Sequence, residues 1–341
     1  MHSSLTHRAR LAAIALIAAL TAIPAAAQEV TLKLHQFLPE NSFVPAHILT
    51  PWADRIEAES GGRIKVERYP SMVLGGKPSD LIDQAIDGQV DVVWTLAGYT
   101  PGRFPRAEVV ELPFMSRDAV PTSRALWRMA QGWDEFKPVH LLGIWVHGPG
   151  VIHSARPVTK LEDMRGLSLR APSRAASMLL ERLRAAPVGL PAPQIMEALS
   201  KGVIEGALLP WEVTSSIRVS EVVKNHTEFP DRAVYTAVLM LAMNDARYQA
   251  LPPDLRAVID AASGEAFSVA AAKAQQDADA PQREAAIAAG AVVTVLDPAE
   301  AARWVEAGEG VIADWSAAAR GFDGAAAVAE ARAAIDAAAT E

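Results

Sequence analysis

Apolar and polar positions follow the same order in two separate stretches of the chain. In Asp80-Leu81-Ile82-Asp83-Gln84-Ala85-Ile86-Asp87-Gly88-Gln89-Val90-Asp91 a short amphipathic helix is closed by glycine, then followed by Val, an acid and the apolar run Val92-Val93-Trp94. Gln194-Ile195-Met196-Glu197-Ala198-Leu199-Ser200-Lys201-Gly202-Val203-Ile204-Glu205 repeats the order and leads into Ala207-Leu208-Leu209. Glycine adopts the left-handed turn that ends a helix, and the apolar run reads as a buried strand. Two helix–strand units predict two α/β lobes of similar design. Ligands of open α/β sheets sit beyond the carboxyl ends of the strands. The expected cleft therefore lies where Trp94–Tyr99 faces Leu209–Glu212.

The remaining pattern fills in each lobe. Val30, Leu32 and Leu34 alternate as a first strand. Ile48, Trp52 and Ile56 fall at helical spacing over Ala46–Glu59, which Ser60-Gly61-Gly62 stops, and Ile64–Tyr69 alternates again. Leu167–Arg170 is a strand that meets Pro172, with Ser173 placed to cap a helix over Arg174–Arg184. His147-Gly148-Pro149-Gly150 lies between two apolar segments, as a chain crossing between lobes would. Val234–Met243 reads as a strand returning to the first lobe. The alanine-rich stretch from Pro252 to Gly290 is mostly helical, long enough to run behind both lobes, and the tail 313–341 is helical too. No linker of low complexity divides the chain, so the lobes are expected to interleave.

The first 27 residues have the form of a secretory signal. His7, Arg8 and Arg10 precede an apolar Leu11–Ile23 too short to span a bilayer, and Ala25-Ala26-Ala27 offers a cleavage site before Gln28. Export to the periplasm is expected, with no membrane insertion of the mature chain. The chain has no cysteine, which removes disulfides, thiolate metal sites, a cysteine nucleophile and a cysteine-linked lipid anchor. Its formal charge of −8 becomes −10 once Arg8 and Arg10 leave, which argues against nucleic acid or anionic membrane as partner. Enzyme signatures are missing: the eight histidines form no HExxH pair, no serine stands in G-x-S-x-G, and Gly148-Pro149-Gly150 lacks a dinucleotide context. No cofactor, no metal and no catalytic activity are expected.

The ordered series Pro51-Trp52, Ser60-Gly61-Gly62-Arg63-Ile64, Leu74-Gly75-Gly76, Ala85–Asp91, Glu111-Leu112-Pro113-Phe114, Leu161–Arg170, Glu197–Gly206, Met243-Asn244 and Leu251-Pro252 resembles the solute receptors of tripartite ATP-independent periplasmic (TRAP) transporters, the DctP family. The resemblance implies a two-lobed α/β clamshell that captures an organic acid and passes it to integral membrane permease subunits. In that reading 1–27 is the signal peptide. Residues 28–147 with about 237–275 form the first lobe, and 148–236 with about 276–341 form the second. A receptor for an ATP-driven transporter, or a sensor that docks on a receptor kinase, is the alternative within binding proteins, as is a ligand that is an amine or polyol.

Arg170 stands where the family places its carboxylate-binding arginine. A planar guanidinium holds a carboxylate through two parallel hydrogen bonds; the structural alternative is a pair with Glu162 or Asp163. Two departures shape the expected ligand. A second family arginine, about twenty residues earlier, falls near Pro149, and the family's asparagine is replaced by Leu209. Losing a cation and an amide points to a monocarboxylate with an apolar or aromatic body, stacked on Trp211, Tyr99 or Phe37. Trp94 and Trp145 are expected in the core. Glu212 either meets a ligand hydroxyl or amine, or pairs with Arg174 or Arg218. His35 and His147, at strand ends facing the cleft, are further candidates for ligand contact or for a structural role.

Overall fold

The structure is a computed structural model that describes residues 28–341, so the signal read at 1–27 lies outside the described residues. The strands are β1 (Val30–Gln36), β2 (Ile64–Tyr69), β3 (Val92–Leu96), β4 (Val139–Val146), β5 (Val151–Ser154), β6 (Ser168–Ala171), β7 (Ala186–Gly189), β8 (Gly206–Leu209), β9 (Asn225–Glu228), β10 (Val238–Asn244) and β11 (Val292–Val295). They form two mixed sheets, in the orders β2-β1-β3-β10-β4 and β11-β9-β5-β8-β6-β7. Each sheet centres one α/β lobe. The β3 strand is buried at every position, as an apolar run without alternation requires when both faces are covered.

The repeated blocks have matching roles. Helix Leu81–Ile86 ends at Gly88 (φ +71°) and feeds β3; helix Ile195–Ser200 ends at Gly202 (φ +68°) and feeds β8. The acid before each strand does the same job. The Asp91 carboxylate accepts the backbone N–H of Lys33 at 2.8 Å, and the Glu205 carboxylate accepts that of Ser168 at 3.0 Å. Each pins its own strand to the parallel neighbour, β1 in one lobe and β6 in the other.

Two short segments carry the chain between sheets, and the helical stretch between β10 and β11 crosses a third time. Residues 147–150 join β4 to β5, and 229–237 join β9 to β10. The strand expected from Val234 accordingly begins at Val238. The expected helix over Ala46–Glu59 has a π-type turn at Pro45–Leu49 before Thr50–Glu59. Pro51 has no N–H to give, and the wider turn absorbs the missing bond.

The long helix expected behind both lobes is instead three helices, Pro253–Ala261, Gly264–Asp277 and Asp279–Ala288. Gly264 (φ +86°) makes the first break, and Pro281 withholds the N–H that would have continued the helix across Ala278. Gly264–Asp277 packs on β4 and on helix Ala119–Ala130, whereas Asp279–Ala288 packs on Trp211–Thr214 of the other lobe. Helix Pro298–Ala318 lies on Arg174–Arg182 of the second lobe, but the last helix, Gly324–Ala338, returns to Ala119–Ala130 of the first. The expectation that 276–341 stays with the second lobe therefore fails at this helix. Its buried face (Val328, Ala331, Ile335) finds its apolar partner there.

Candidate functional site

Between the strand ends of the two sheets lies a cavity of about 40 Å³ free volume. The first lobe lines it with Phe37, Trp94, Leu96, Tyr99 and Leu239, and the second with Arg170, Leu209, Glu212 and Val213. His147 and Tyr235 come from the two short crossing segments, and Gln275 from helix Gly264–Asp277. Six of the eight candidate residues read from the sequence border this cavity. Trp211 and His35 do not.

Arg170 is the next-to-last residue of β6 and is 2% exposed. Its Nε donates to the carbonyl of Leu190 at 2.8 Å and Nη1 to that of Leu208 at 3.0 Å. No carboxylate pairs with it among the described residues. Glu162 is taken by Arg303, and Asp163 caps Thr159 and Lys160, which removes the structural alternative. A buried charge without a counter-ion is costly, and two carbonyls orient the guanidinium without neutralising it. The groups facing that charge are neutral. Burial pushes the Tyr99 and Tyr235 hydroxyls up in pKa, opposed in each by the Arg170 charge. Burial, with a smaller push from Arg170, brings His147 down to about 4.

The tautomer of His147 follows from its partner. Nδ1 lies 2.6 Å from the carbonyl of Gly148, which can only accept, so Nδ1 carries the proton and Nε2 is left as an acceptor. The two glycines of His147–Gly150 are required by close approach. A Cβ on Gly148 would stand 2.1 Å from the Asp279 carboxylate, and one on Gly150 2.1 Å from the ring of Tyr235. They let an acid and a tyrosine from distant sequence press against the crossing strand.

Glu212 forms neither ion pair considered for it. Arg174 pairs with Glu108 at 2.5 Å and Arg218 with Glu221 at 2.7 Å. Instead Glu212 Oε2 accepts from Gln275 Nε2 at 2.9 Å, while its backbone N–H donates to Asp279 at 2.8 Å. The indole of Trp145 donates to Gln275 Oε1 at 3.0 Å. An indole can only donate, so it fixes which end of the amide meets Glu212. Oε1 of Glu212 has no protein partner. Burial raises the Glu212 carboxyl to about 8, eased by Gln275 and reinforced by Asp279, itself raised by burial to about 7. At neutral pH Glu212 is largely an uncharged acid.

The apolar wall is aromatic. Phe37 stacks on Trp94 at 4.5 Å between centroids and 12° between planes, with Tyr99 edge-on to Phe37 at 5.4 Å. Trp94, expected only in the core, is 1% exposed yet also borders the cavity, and its indole N–H has no partner. Trp145 is core, as expected.

Trp211 is corrected to a structural role. It opens the helix Trp211–Thr214, and adjacent helical residues point about 100° apart, so Glu212 takes the cavity side. The Trp211 indole donates to Glu228 at 2.7 Å, and its ring lies against His153 and His226 at 5.0 and 4.6 Å. Those histidines meet Nδ1 to Nδ1 at 2.7 Å, while His153 Nε2 donates to the carbonyl of Leu209. The pair thus shares a single proton, and His226 is the donor. His35 is structural as well: Nδ1 donates to Gln84 at 2.8 Å and Nε2 accepts from Leu74 at 3.4 Å, tying β1 to the loop after β2.

Sequence reasoning missed Tyr235 and Gln275. Tyr235 sits in a crossing segment that was recognisable, but Gln275 lies in an alanine-rich helix with no local signal. Two α/β lobes joined by crossing strands, with an unpaired cation buried in the cleft, define a solute-binding receptor. The chain belongs to the DctP family, bacterial extracellular solute-binding protein family 7, whose model matches residues 35–318. It is thus a solute-binding protein of the TRAP type rather than of an ATP-driven transporter. A TRAP solute-binding protein from Rhodoferax ferrireducens, solved with copurified benzoate, is 46% identical with a TM-score of 0.89, over 91% of this chain and 98% of that one. A marine metagenome TRAP receptor specific for aromatic acids, solved with 3-hydroxybenzoate, is 41% identical with a TM-score of 0.89, over 91% and 99%. A Bordetella bronchiseptica receptor with bound (R)- and (S)-mandelate is 31% identical with a TM-score of 0.82, over 90% and 98%. Among the described residues no helix is long and apolar enough to cross a membrane.

Proposed function

We propose that this receptor captures a single-ring aromatic monocarboxylate in the periplasm and delivers it to its TRAP permease subunits. The observation that carries the reading is Arg170, buried without a counter-ion at the edge of a cavity walled by Phe37, Trp94 and Tyr99. Nε and Nη1 are held by carbonyls and the Tyr99 hydroxyl lies against the same guanidinium, none of which neutralises it; the Tyr235 hydroxyl, without a partner, is a second donor in reach of the same charge. With one cation and otherwise neutral groups, a second carboxylate would go uncompensated. The benzoate, hydroxybenzoate and mandelate of the related receptors are of this class.

Calorimetry with benzoate tests the reading. Wild type is expected to bind, and Arg170→Ala to lose about 2–5 kcal/mol, roughly 30- to several-thousand-fold in Kd. Arg170→Lys keeps the charge without the planar fork and should fall between the two. Undiminished binding by a folded Arg170→Ala protein would place the carboxylate elsewhere.

A further inference from the structure

Arg170 accounts for a carboxylate but leaves Glu212 without a purpose. This side chain is 2% exposed, borders the cavity, and is held through Oε2 by Gln275 and through its backbone N–H by Asp279. Trp145 locks Gln275 in turn, so three distant parts of the chain cooperate to present one oxygen, Oε1, which meets nothing in the protein. Arg170 and Glu212 border the same cavity but are held by different partners, the carbonyls of Leu190 and Leu208 for one and Gln275 for the other. An unsubstituted ring offers Oε1 no partner and, once it displaces water, leaves a buried polar atom unsatisfied.

We propose that Glu212 Oε1 reads a hydroxyl group on the ligand, so that the receptor favours hydroxylated single-ring aromatic acids over their unsubstituted parents. The proposal rests on the aromatic-acid reading above. A hydroxyl suits the site because it both accepts and donates. As an uncharged acid, with Oε2 already accepting from Gln275, Glu212 offers the Oε1 proton to the hydroxyl oxygen. His147 Nε2, an acceptor on the same cavity, is available to the hydroxyl hydrogen. A second carboxylate on the ring would face an acid and is disfavoured.

Calorimetry with benzoate, the three hydroxybenzoate isomers, 3-aminobenzoate and isophthalate decides it. At least one hydroxybenzoate is expected to bind wild type about tenfold or more tightly than benzoate, and more tightly than the amine or the diacid. Glu212→Leu should bring that ratio close to unity, because it removes the partner that only the hydroxyl uses. Glu212→Gln, which keeps a neutral donor and acceptor, should retain most of the preference. If circular dichroism shows Glu212→Leu unfolded, Gln275→Leu is the second variant, expected to erode the same ratio by freeing the acid. Benzoate binding as tightly as every hydroxybenzoate, or a preference that survives in folded Glu212→Leu, overturns the proposal and leaves the receptor reading intact. Tightest binding of the amine or the diacid also overturns it. Failure of every aromatic acid to bind sinks both.

Discussion

The backbone N–H of Ala192 donates to the phenolic oxygen of Tyr99 at 2.9 Å, joining the turn after β3 in one lobe to the loop before Ile195–Ser200 in the other. Beside it the lobes touch without a side chain between them. A Cβ on Gly98 would stand 2.7 Å from both the Pro172 carbonyl and Ser173 Cβ. At this seam the two lobes are in direct contact. Gly98→Ala should prop the lobes apart and weaken aromatic-acid binding by roughly tenfold, from the 1–3 kcal/mol typical of overpacking. The loss should appear in the dissociation rate, measured by stopped-flow fluorescence, with association little changed.

Buried acids make the fold sensitive to alkali. Glu212 and Glu111 are raised to about 8 and Asp279 to about 7, all chiefly by burial. Above about pH 4.5 these groups lose their protons in the unfolded chain but keep them in the folded one. The folded state therefore binds more protons, and their contribution to stability falls as pH rises towards 8. Melting temperature without ligand should decline from pH 5 to 8 on this account, and Glu212→Gln should flatten part of the decline. A slope unchanged in that variant would mean that Glu212 ionises normally.

Asp91 and Glu205 should be interchangeable in energetic role. Each accepts one backbone N–H from the neighbouring parallel strand. Removing either acceptor by mutation to Ala should destabilise by about 1–3 kcal/mol. Asp91 also meets Arg247 at 3.1 Å, a partly exposed contact that adds little. Urea titration of both variants is the measurement; a neutral Glu205→Ala would show that the second copy has lost the function of the first.

Trp94 borders the cavity whereas Trp145 and Trp304 are enclosed by protein. Binding of an aromatic acid should therefore change the emission of Trp94 selectively. Trp94→Phe keeps a ring against Phe37 and should fold, yet lose most of the ligand-dependent signal in a fluorescence titration. A full signal in that variant would assign it to another indole.

Where local pattern decides the outcome, the sequence was legible. The two helix–glycine–strand units and their acids, the crossing at 147–150 and the strand end carrying Arg170 all follow from spacing and backbone chemistry. What was hidden depends on neighbours supplied by distant sequence. Trp211 and Glu212 are adjacent in one short helix, and only the packing of His153 and His226 shows which of them turns from the cavity. His35 loses its candidacy to Gln84 and Leu74, and Trp94 gains a place because Phe37 stacks on it at the cavity edge. The position of the last helix was illegible for the same reason: an alanine-rich amphipathic segment fits the back of either lobe.

His147 and Tyr235 belong to the two short segments that cross between the lobes, and both border the cavity. The same few residues thus line the cavity and carry the chain from one lobe to the other. Any movement of one lobe against the other would therefore act directly on residues that line the cavity. A membrane partner that grips both lobes and pries them apart would unload the cargo simply by bending the backbone beneath it.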